Sequence, residues 1–238
     1  MKAIVPAAGR GTRLRPRTAE KPKALVDVAG KPLLTRVFDT LVGMDTELEA
    51  FIVVVGYHGD QLIRHYGDRS HGTPIIYVEQ SDQRGLAHAV RQADTHIEDQ
   101  FMLMNGDNLF DDVNLDALCR AAKSADIDGA LLVTRTSKEE AKTTGVCEID
   151  PDGDLTSIVE KPDSPPSTLI NTGAAVLPPE TMHACHLVRP SARGEYELPD
   201  AINLLLAAGY RITTIQLEGW RVNVNTPEDL ERANARFE

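Results

Sequence analysis

AAGRGTRLRPRTAEKPK, residues 7–23, decides how this chain is read. It follows a short apolar run, Ala3-Ile4-Val5, that reads as a first β-strand. It holds Gly9 and Gly11, arginines that include Arg10, Arg13 and Arg15, and a Lys21-Pro22-Lys23. Small residues let the backbone come close to a ligand, because no Cβ intervenes. A turn rich in backbone N–H groups, joined to guanidinium and ammonium groups, is a cradle for a polyphosphate. The dinucleotide fingerprint needs a third glycine where Leu14 stands, and the P-loop needs a Gly-Lys-Ser/Thr ending that does not follow. A solvated basic loop between a strand and a helix is the other reading of the same residues.

Outward from that stretch, strands and helices alternate. Apolar runs at 51–55, 74–78, 101–104 and 130–133 read as strands, and helical spacing falls at 33–42, 60–66, 86–93 and 116–125. The run Phe51-Ile52-Val53-Val54-Val55 is too apolar for a half-exposed strand. Such alternation implies an α/β fold with a mostly parallel sheet covered on both faces. Further on, 146–149 and 155–159 flank Asp150-Pro151-Asp152-Gly153 and predict a hairpin with Asp-Gly at its turn. A strand at 168–176, a helix at 199–208 ended by Gly209, a strand at 212–217 and a helix at 227–237 complete the pattern. No repeat or linker divides the chain, so 1–238 is expected to be one domain. The texture changes near residue 135, so that domain is read as two halves, about 1–135 and about 136–238.

Composition narrows the class. The net charge of −11 argues against nucleic acid as the main partner. The apolar runs are too short for a membrane span. Met1-Lys2 opens directly into a strand without a signal-peptide pattern, and the three cysteines include no Cys-x-x-Cys. Both point to reduced thiols in a cytoplasmic protein. Eight lysines stand against seventeen arginines. An acid-rich, lysine-poor surface suits high salt, and ordinary acidic solubility gives the same composition. His183-Ala184-Cys185-His186 matches no zinc spacing and reads as a helix face.

The first loop, Gly-x-Gly-Thr-Arg followed by Pro-Lys about ten residues on, resembles the sugar-1-phosphate nucleotidyltransferases. Five motifs in that family's order extend the resemblance over nearly the whole chain, closest to the glucose-1-phosphate uridylyl- and thymidylyltransferases. It implies a Rossmann-like three-layer αβα nucleotidyltransferase domain with a mixed, mostly parallel central sheet and a small sugar-binding lobe. It also implies transfer of a nucleotidyl group from a nucleoside triphosphate to a sugar 1-phosphate. UTP with glucose 1-phosphate is favoured. A dTTP-using thymidylyltransferase and a non-catalytic regulatory subunit stay open, as does a homo-oligomer.

The same resemblance distributes roles. Ala8, Gly9, Gly11 and Thr12 would cradle the triphosphate, Arg13 would bind its leaving phosphates, and Lys23 would sit at the α-phosphate. Gln80 and Gly85 would read the base, since a glutamine amide matches a pyrimidine edge. Asp107, in Asn105-Gly106-Asp107-Asn108 after a strand's carboxyl end, points into the crevice where α/β sheets bind ligands. One or two protein oxygens beside phosphate suit Mg²⁺, so Asp107 is expected to hold it. Glu160 and Lys161 would take sugar hydroxyls and sugar phosphate, and Gly145, Asn171 and Thr172 would line the sugar. Relatives carry an aspartate after the late tryptophan as second metal ligand. Here Asn223 stands in its place, offering a carbonyl oxygen with less charge. Asn225 and Thr226 have a plainer reading, as caps of the last helix. Tyr196 and Glu197 would line the sugar pocket or tether the lobe.

Overall fold

The computed structural model describes residues 1–113 and 115–238. The strands are β1 (Lys2–Pro6), β2 (Asp27–Val28), β3 (Lys31–Pro32), β4 (Ala50–Val55), β5 (Arg69–Ser70), β6 (Thr73–Glu79) and β7 (Phe101–Met104). They continue as β8 (Asn108–Asp111), β9 (Gly129–Arg135), β10 (Gly145–Ile149), β11 (Leu155–Glu160), β12 (Leu169–Leu177), β13 (Ile212–Gln216) and β14 (Trp220–Asn223). The helices are α1 (Leu33–Val42), α2 (Gly59–Tyr66), α3 (Leu86–Val90), α4 (Leu115–Ala122), α5 (Lys138–Ala141), α6 (Thr181–Leu187), α7 (Leu198–Ala207) and α8 (Pro227–Phe237).

One sheet runs β11-β10-β12-β7-β1-β4-β6-β5, with β9 on β12 and β13 on β9. β7, β1, β4 and β6 are mutually parallel, and β12 enters antiparallel against β7. The parallel strands are buried on both faces, which is why they read as unbroken apolar runs rather than alternating ones. Alternate residues then feed two cores. Val5, Phe51 and Val53 pack toward α1, α4 and α8, while Ile4, Ile52 and Val54 pack toward α3, α6 and α7. The helices and strands expected from periodicity all occur. The helix expected over 86–93 shortens to α3 and passes into a 3₁₀ turn, Arg91–His96, and that expected over 116–125 stops at Ala122. No helix among the described residues is long and apolar enough to cross a membrane.

Three loops leave the same edge of the sheet, after β1, β6 and β7. Their approach is close. Gly106 N donates to Pro6 O at 3.1 Å, and a Cβ on Gly106 would stand 2.7 Å from that oxygen. The first loop is pinned by buried Leu14, by Thr18 Oγ1 donating to Gly11 O at 2.7 Å, and by Tyr57 Oη donating to Ala19 O at 2.7 Å. Gly11 sits at φ 59°, where a side chain would meet Thr18 and Lys23.

A two-stranded antiparallel ribbon, β8 with β14, sets Asn223 opposite Asn108. It was not expected from sequence. It brings the end of the chain to the loop after β7, and Val224 N donates to Asp107 O at 2.9 Å. Immediately beyond, Thr226 starts α8 with a capping box. Its hydroxyl accepts from Asp229 N at 3.2 Å, and Asp229 Oδ2 accepts from Thr226 N at 2.9 Å. Thr226→Ala should lower stability by about 1 kcal/mol. Urea titration should show a lower midpoint at an unchanged m-value.

Candidate active site

Lys23 is the most enclosed cation of the site. Its side chain is 10% exposed. Its Nζ donates to Asp107 Oδ2 at 2.7 Å and to Asn225 Oδ1 at 2.9 Å. Three segments distant in sequence thereby converge: the first loop, the turn after β7, and the stretch after β14. Asn225 was expected only as a helix cap. Thr226 takes the capping, and Asn225 turns inward to the lysine.

Two cavities meet at this point. One, about 290 Å³, is lined by Gly9, Gly11, Thr12, Arg13, Lys23 and Asp107, among others. The second, about 950 Å³, is lined by Gly145, Glu160, Lys161, Asn171, Arg221 and Asn223, among others. Arg13, Leu86, Asn105, Asp107 and Asn225 belong to both walls. Ala8 does not line either. It is buried, and its carbonyl accepts from Tyr57 N at 3.3 Å, whereas Ala7 faces the smaller cavity. Beyond Gly9 and Thr12 an open cleft continues to Asp82, Gln83 and Arg84, and Arg10 Nε donates to Gln83 Oε1 at 3.0 Å across it.

Behind that cleft Gln80 is buried, and both of its N–H groups are engaged. Nε2 donates to Gly85 O at 3.1 Å and to His88 Nδ1 at 2.9 Å. Burial, then the charges of Arg91 and Arg84, push the His88 pKa below its ordinary value, so the ring is neutral and Nδ1 accepts. Gln80 is left with Oε1, an acceptor alone. Gly85, at φ 106°, precedes α3 and lies against Tyr196, whose carbonyl would be 2.5 Å from an added Cβ. Tyr196 N donates to Arg84 O at 2.7 Å and Tyr196 O accepts from Ala87 N at 3.0 Å. Tyr196 is therefore a tether for this turn.

In the larger cavity Lys161 holds φ 45°, a sparsely populated conformation for a residue with a side chain. Its Nζ lies 3.3 Å from Glu160 Oε1. Burial raises the Glu160 pKa above its ordinary value, the Lys161 charge opposing and Glu197 reinforcing. A Cβ on Gly145 would stand 3.2 Å from Glu160 Oε2, so glycine there leaves the carboxylate its room. Glu197 is 5% exposed and accepts from Ser191 Oγ at 2.9 Å and from Arg193 Nη2 at 2.7 Å. Asn171 Oδ1 accepts from Gly173 N at 2.9 Å. Thr172 departs from expectation. Its hydroxyl donates to Leu132 O at 2.8 Å, inside the sheet, so only its backbone can face a sugar.

The donors available to a metal are oxygens. Asp107 is one-third exposed and keeps its second oxygen, and Asn223 Oδ1 is buried without a hydrogen-bond partner among the described residues. An orphaned acceptor oxygen beside a carboxylate suits a hard cation better than it suits empty space. No cluster of three or more His, Cys, Asp or Glu at metal-binding distance occurs among the described residues, so the remaining ligands of such an ion would come from phosphate and water.

Residues 2–238 match the nucleotidyl transferase family model. The chain is 46% identical over 238 residues to the UTP–glucose-1-phosphate uridylyltransferase AglF of Haloferax volcanii, covering all of this chain and 97% of that protein. It is 35% identical to a glucose-1-phosphate thymidylyltransferase of Streptomyces griseus, of which it spans 64%. A UDP-glucose pyrophosphorylase solved with UDP-glucose shares the fold, with a TM-score of 0.88 at 24% identity over 99% of this chain and 97% of that one.

Glu160 gives a test of the cavity's electrostatics. Above pH 4.5 the unfolded chain ionises this carboxyl before the folded chain does, so stability declines as pH rises through the folded value. Glu160→Gln should remove that decline and leave the variant more stable than the parent at pH 7. Thermal melts should show the gain closing as pH falls to 4.5.

Proposed function

Since this chain belongs to the nucleotidyl transferase family, we propose that it transfers a uridylyl group from UTP to glucose 1-phosphate, giving UDP-glucose and pyrophosphate. The single observation that carries this reading is Lys23, which lines the smaller cavity and is held there by Asp107 and Asn225, two residues of the wall common to both cavities. The nucleotide half, about 1–135, takes the triphosphate in the smaller cavity, and the half from about 136 to 238 takes the sugar phosphate in the larger. The substrate pair is that named for the Haloferax relative.

An oxygen of glucose 1-phosphate attacks the α-phosphorus of UTP, and pyrophosphate leaves. A phosphate monoester is already largely a dianion at neutral pH, its second pKa being about 6, so no general base is required. The chain's task is to hold two anions in line and neutralise the charge that shifts. Gly9, Gly11 and Thr12 bring backbone close to the triphosphate, and Arg13, exposed at the rim, takes the departing phosphates. Lys23, on the wall of the smaller cavity beside Asp107, supplies its charge to the α-phosphate. Lys161 holds the acceptor phosphate, and Glu160 accepts from sugar hydroxyls. Members of the family generally use a divalent metal. Mg²⁺ held by Asp107 and Asn223 would add charge neutralisation between the phosphates. No nucleic acid or membrane is involved, and the protein acts in the cytoplasm. A homo-oligomer is compatible with this arrangement. The acid-rich surface is read as suited to high salt, as in the Haloferax relative.

Base choice follows from Gln80. With both N–H groups engaged, its Oε1 accepts from N3–H of uracil or thymine, where cytosine offers only another acceptor. Thymine stays the nearest competitor, since it differs by one methyl. The non-catalytic reading rests on Asn223 alone and has against it Arg13, Lys23 and Asp107 in place around one junction.

Pyrophosphate release from purified protein, with UTP, dTTP and CTP against glucose 1-phosphate, tests the reading. UTP should turn over fastest, and no release with any triphosphate would leave only the non-catalytic role. Lys23→Ala and Asp107→Ala should each lower kcat by roughly 10²–10³-fold. Near-normal rates in either would reject the assigned roles. His88→Ala frees the Gln80 amide and should raise the KM for UTP roughly 2–12-fold while narrowing UTP/CTP discrimination. In the parent protein that KM should stay flat down to pH 6.5 and rise only below it, as Nδ1 acquires a proton.

A further inference from the structure

Arg221, on β14, is a half-buried cation with no counter-ion. Its Nε donates to Asn108 Oδ1 at 3.0 Å and to Thr172 O at 3.1 Å. Those bonds fix the plane of the guanidinium. Neither terminal nitrogen hydrogen-bonds to any described residue, and no carboxylate among the described residues lies within ion-pair distance. The side chain lines the larger cavity. Burial lowers its pKa, while the more distant charges of Glu140 and Asp107 oppose that. A guanidinium remains charged even so. A positive fork of two N–H-bearing nitrogens is thus held rigid and open toward a cavity.

Its neighbours explain why it is open. Asn223, two residues along the same strand, shares the strand face with Arg221. An aspartate there would place a carboxylate beside the guanidinium. The amide does not, and the guanidinium keeps its terminal nitrogens free of a carboxylate partner among the described residues. Arg221 is tied by Asn108 to the turn that carries Asp107, a residue of the wall shared by the two cavities. The fork matches the geometry of phosphate or carboxylate oxygens better than that of a lone hydroxyl.

We propose that Arg221 is a second anchor, with Lys161, for the phosphate of the incoming sugar 1-phosphate, and that the neutral Asn223 keeps it available for that anion. The inference rests on the transferase reading above and adds a specificity-determining residue to it. Arg221 acts from the floor of the acceptor cavity and Lys161 from its rim, so the phosphate is gripped from two directions before transfer.

Calorimetric titration of the full chain with glucose 1-phosphate, methyl glucoside, inorganic phosphate and UTP tests it. Arg221→Gln should weaken glucose 1-phosphate roughly tenfold, the worth of about one charge-assisted hydrogen bond. It should abolish competition by inorganic phosphate and leave UTP affinity within about twofold, which also reports an intact fold. Arg221→Lys keeps the charge but loses the fork and should fall between, at roughly threefold. Wild-type affinity for glucose 1-phosphate in Arg221→Gln overturns the proposal. So does an equal loss for methyl glucoside, which would assign Arg221 to the ring instead. Should Arg221→Gln lose UTP as well, Arg221→Lys decides, and wild-type affinity for glucose 1-phosphate there overturns it. A parent protein that binds no glucose 1-phosphate and releases no pyrophosphate removes the transferase reading and this inference together.

Discussion

The structure depends on one enclosed ammonium group. Lys23 leaves water only because two oxygens meet it, one from Asp107 and one from Asn225. A buried cation without partners is strongly destabilising, so each of the three segments is held in place by what the others bring. The same contacts define the reacting point. In the proposed transfer the phosphates of two substrates must arrive where Lys23 already sits, and the chain's own oxygens occupy the ammonium until they do. Exchange of one set of oxygens for another changes little in the packing around it. That is how a site can be stable without substrate and still be available to it.

Charge balance around this point runs opposite to that of the whole molecule. The chain carries a net charge of −11. Yet at the junction the positions that could have been acidic are amides: Asn105, Asn108, Asn223 and Asn225. Only Asp107 is charged, and it is paired with Lys23. Two carboxylates of the larger cavity have a cation beside them, Glu160 with Lys161 and Glu197 with Arg193. Among the described residues that line the two cavities, Arg13 and Arg221 are the cations with no carboxylate within ion-pair distance. An acidic surface repels free anions at long range, but salt screens that repulsion within about 10 Å at 0.1 M. Inside the cavities the enclosed cations act at short range, where screening is weak.

Much of the fold was legible because its strands obey simple periodicity. The run at 51–55 could only be a doubly covered strand, and the Asp-Gly turn at 152–153 forced a hairpin. The first loop was legible only through its resemblance to the sugar-1-phosphate nucleotidyltransferases, since the same residues alone also suit a solvated basic turn. What escaped depends on pairings across the chain. Asn108-Leu109-Phe110-Asp111 looks like a turn until Trp220–Asn223 is laid beside it. Asn225 stands before Thr-Pro and reads as a cap, because nothing local shows a lysine 202 residues away. Thr172 reads as a sugar ligand because its hydroxyl's partner, Leu132, lies on another strand. His88 carries no motif, and only packing discloses that it turns Gln80. Ala8 belongs to a matching motif, yet its side chain faces the sheet.

The β8–β14 ribbon has a consequence for how the protein is made. In the proposed transfer the triphosphate is cradled by roughly the first half of the chain, but one of the two oxygens that seat Lys23 comes from Asn225, just past the ribbon. A polypeptide emerging from the ribosome therefore shows its basic loop long before it can enclose it. Loop closure over so many residues is slow relative to local structure. The proposed activity should then appear only once synthesis has passed Asn225, and no translation product ending before Trp220 should possess a fraction of it.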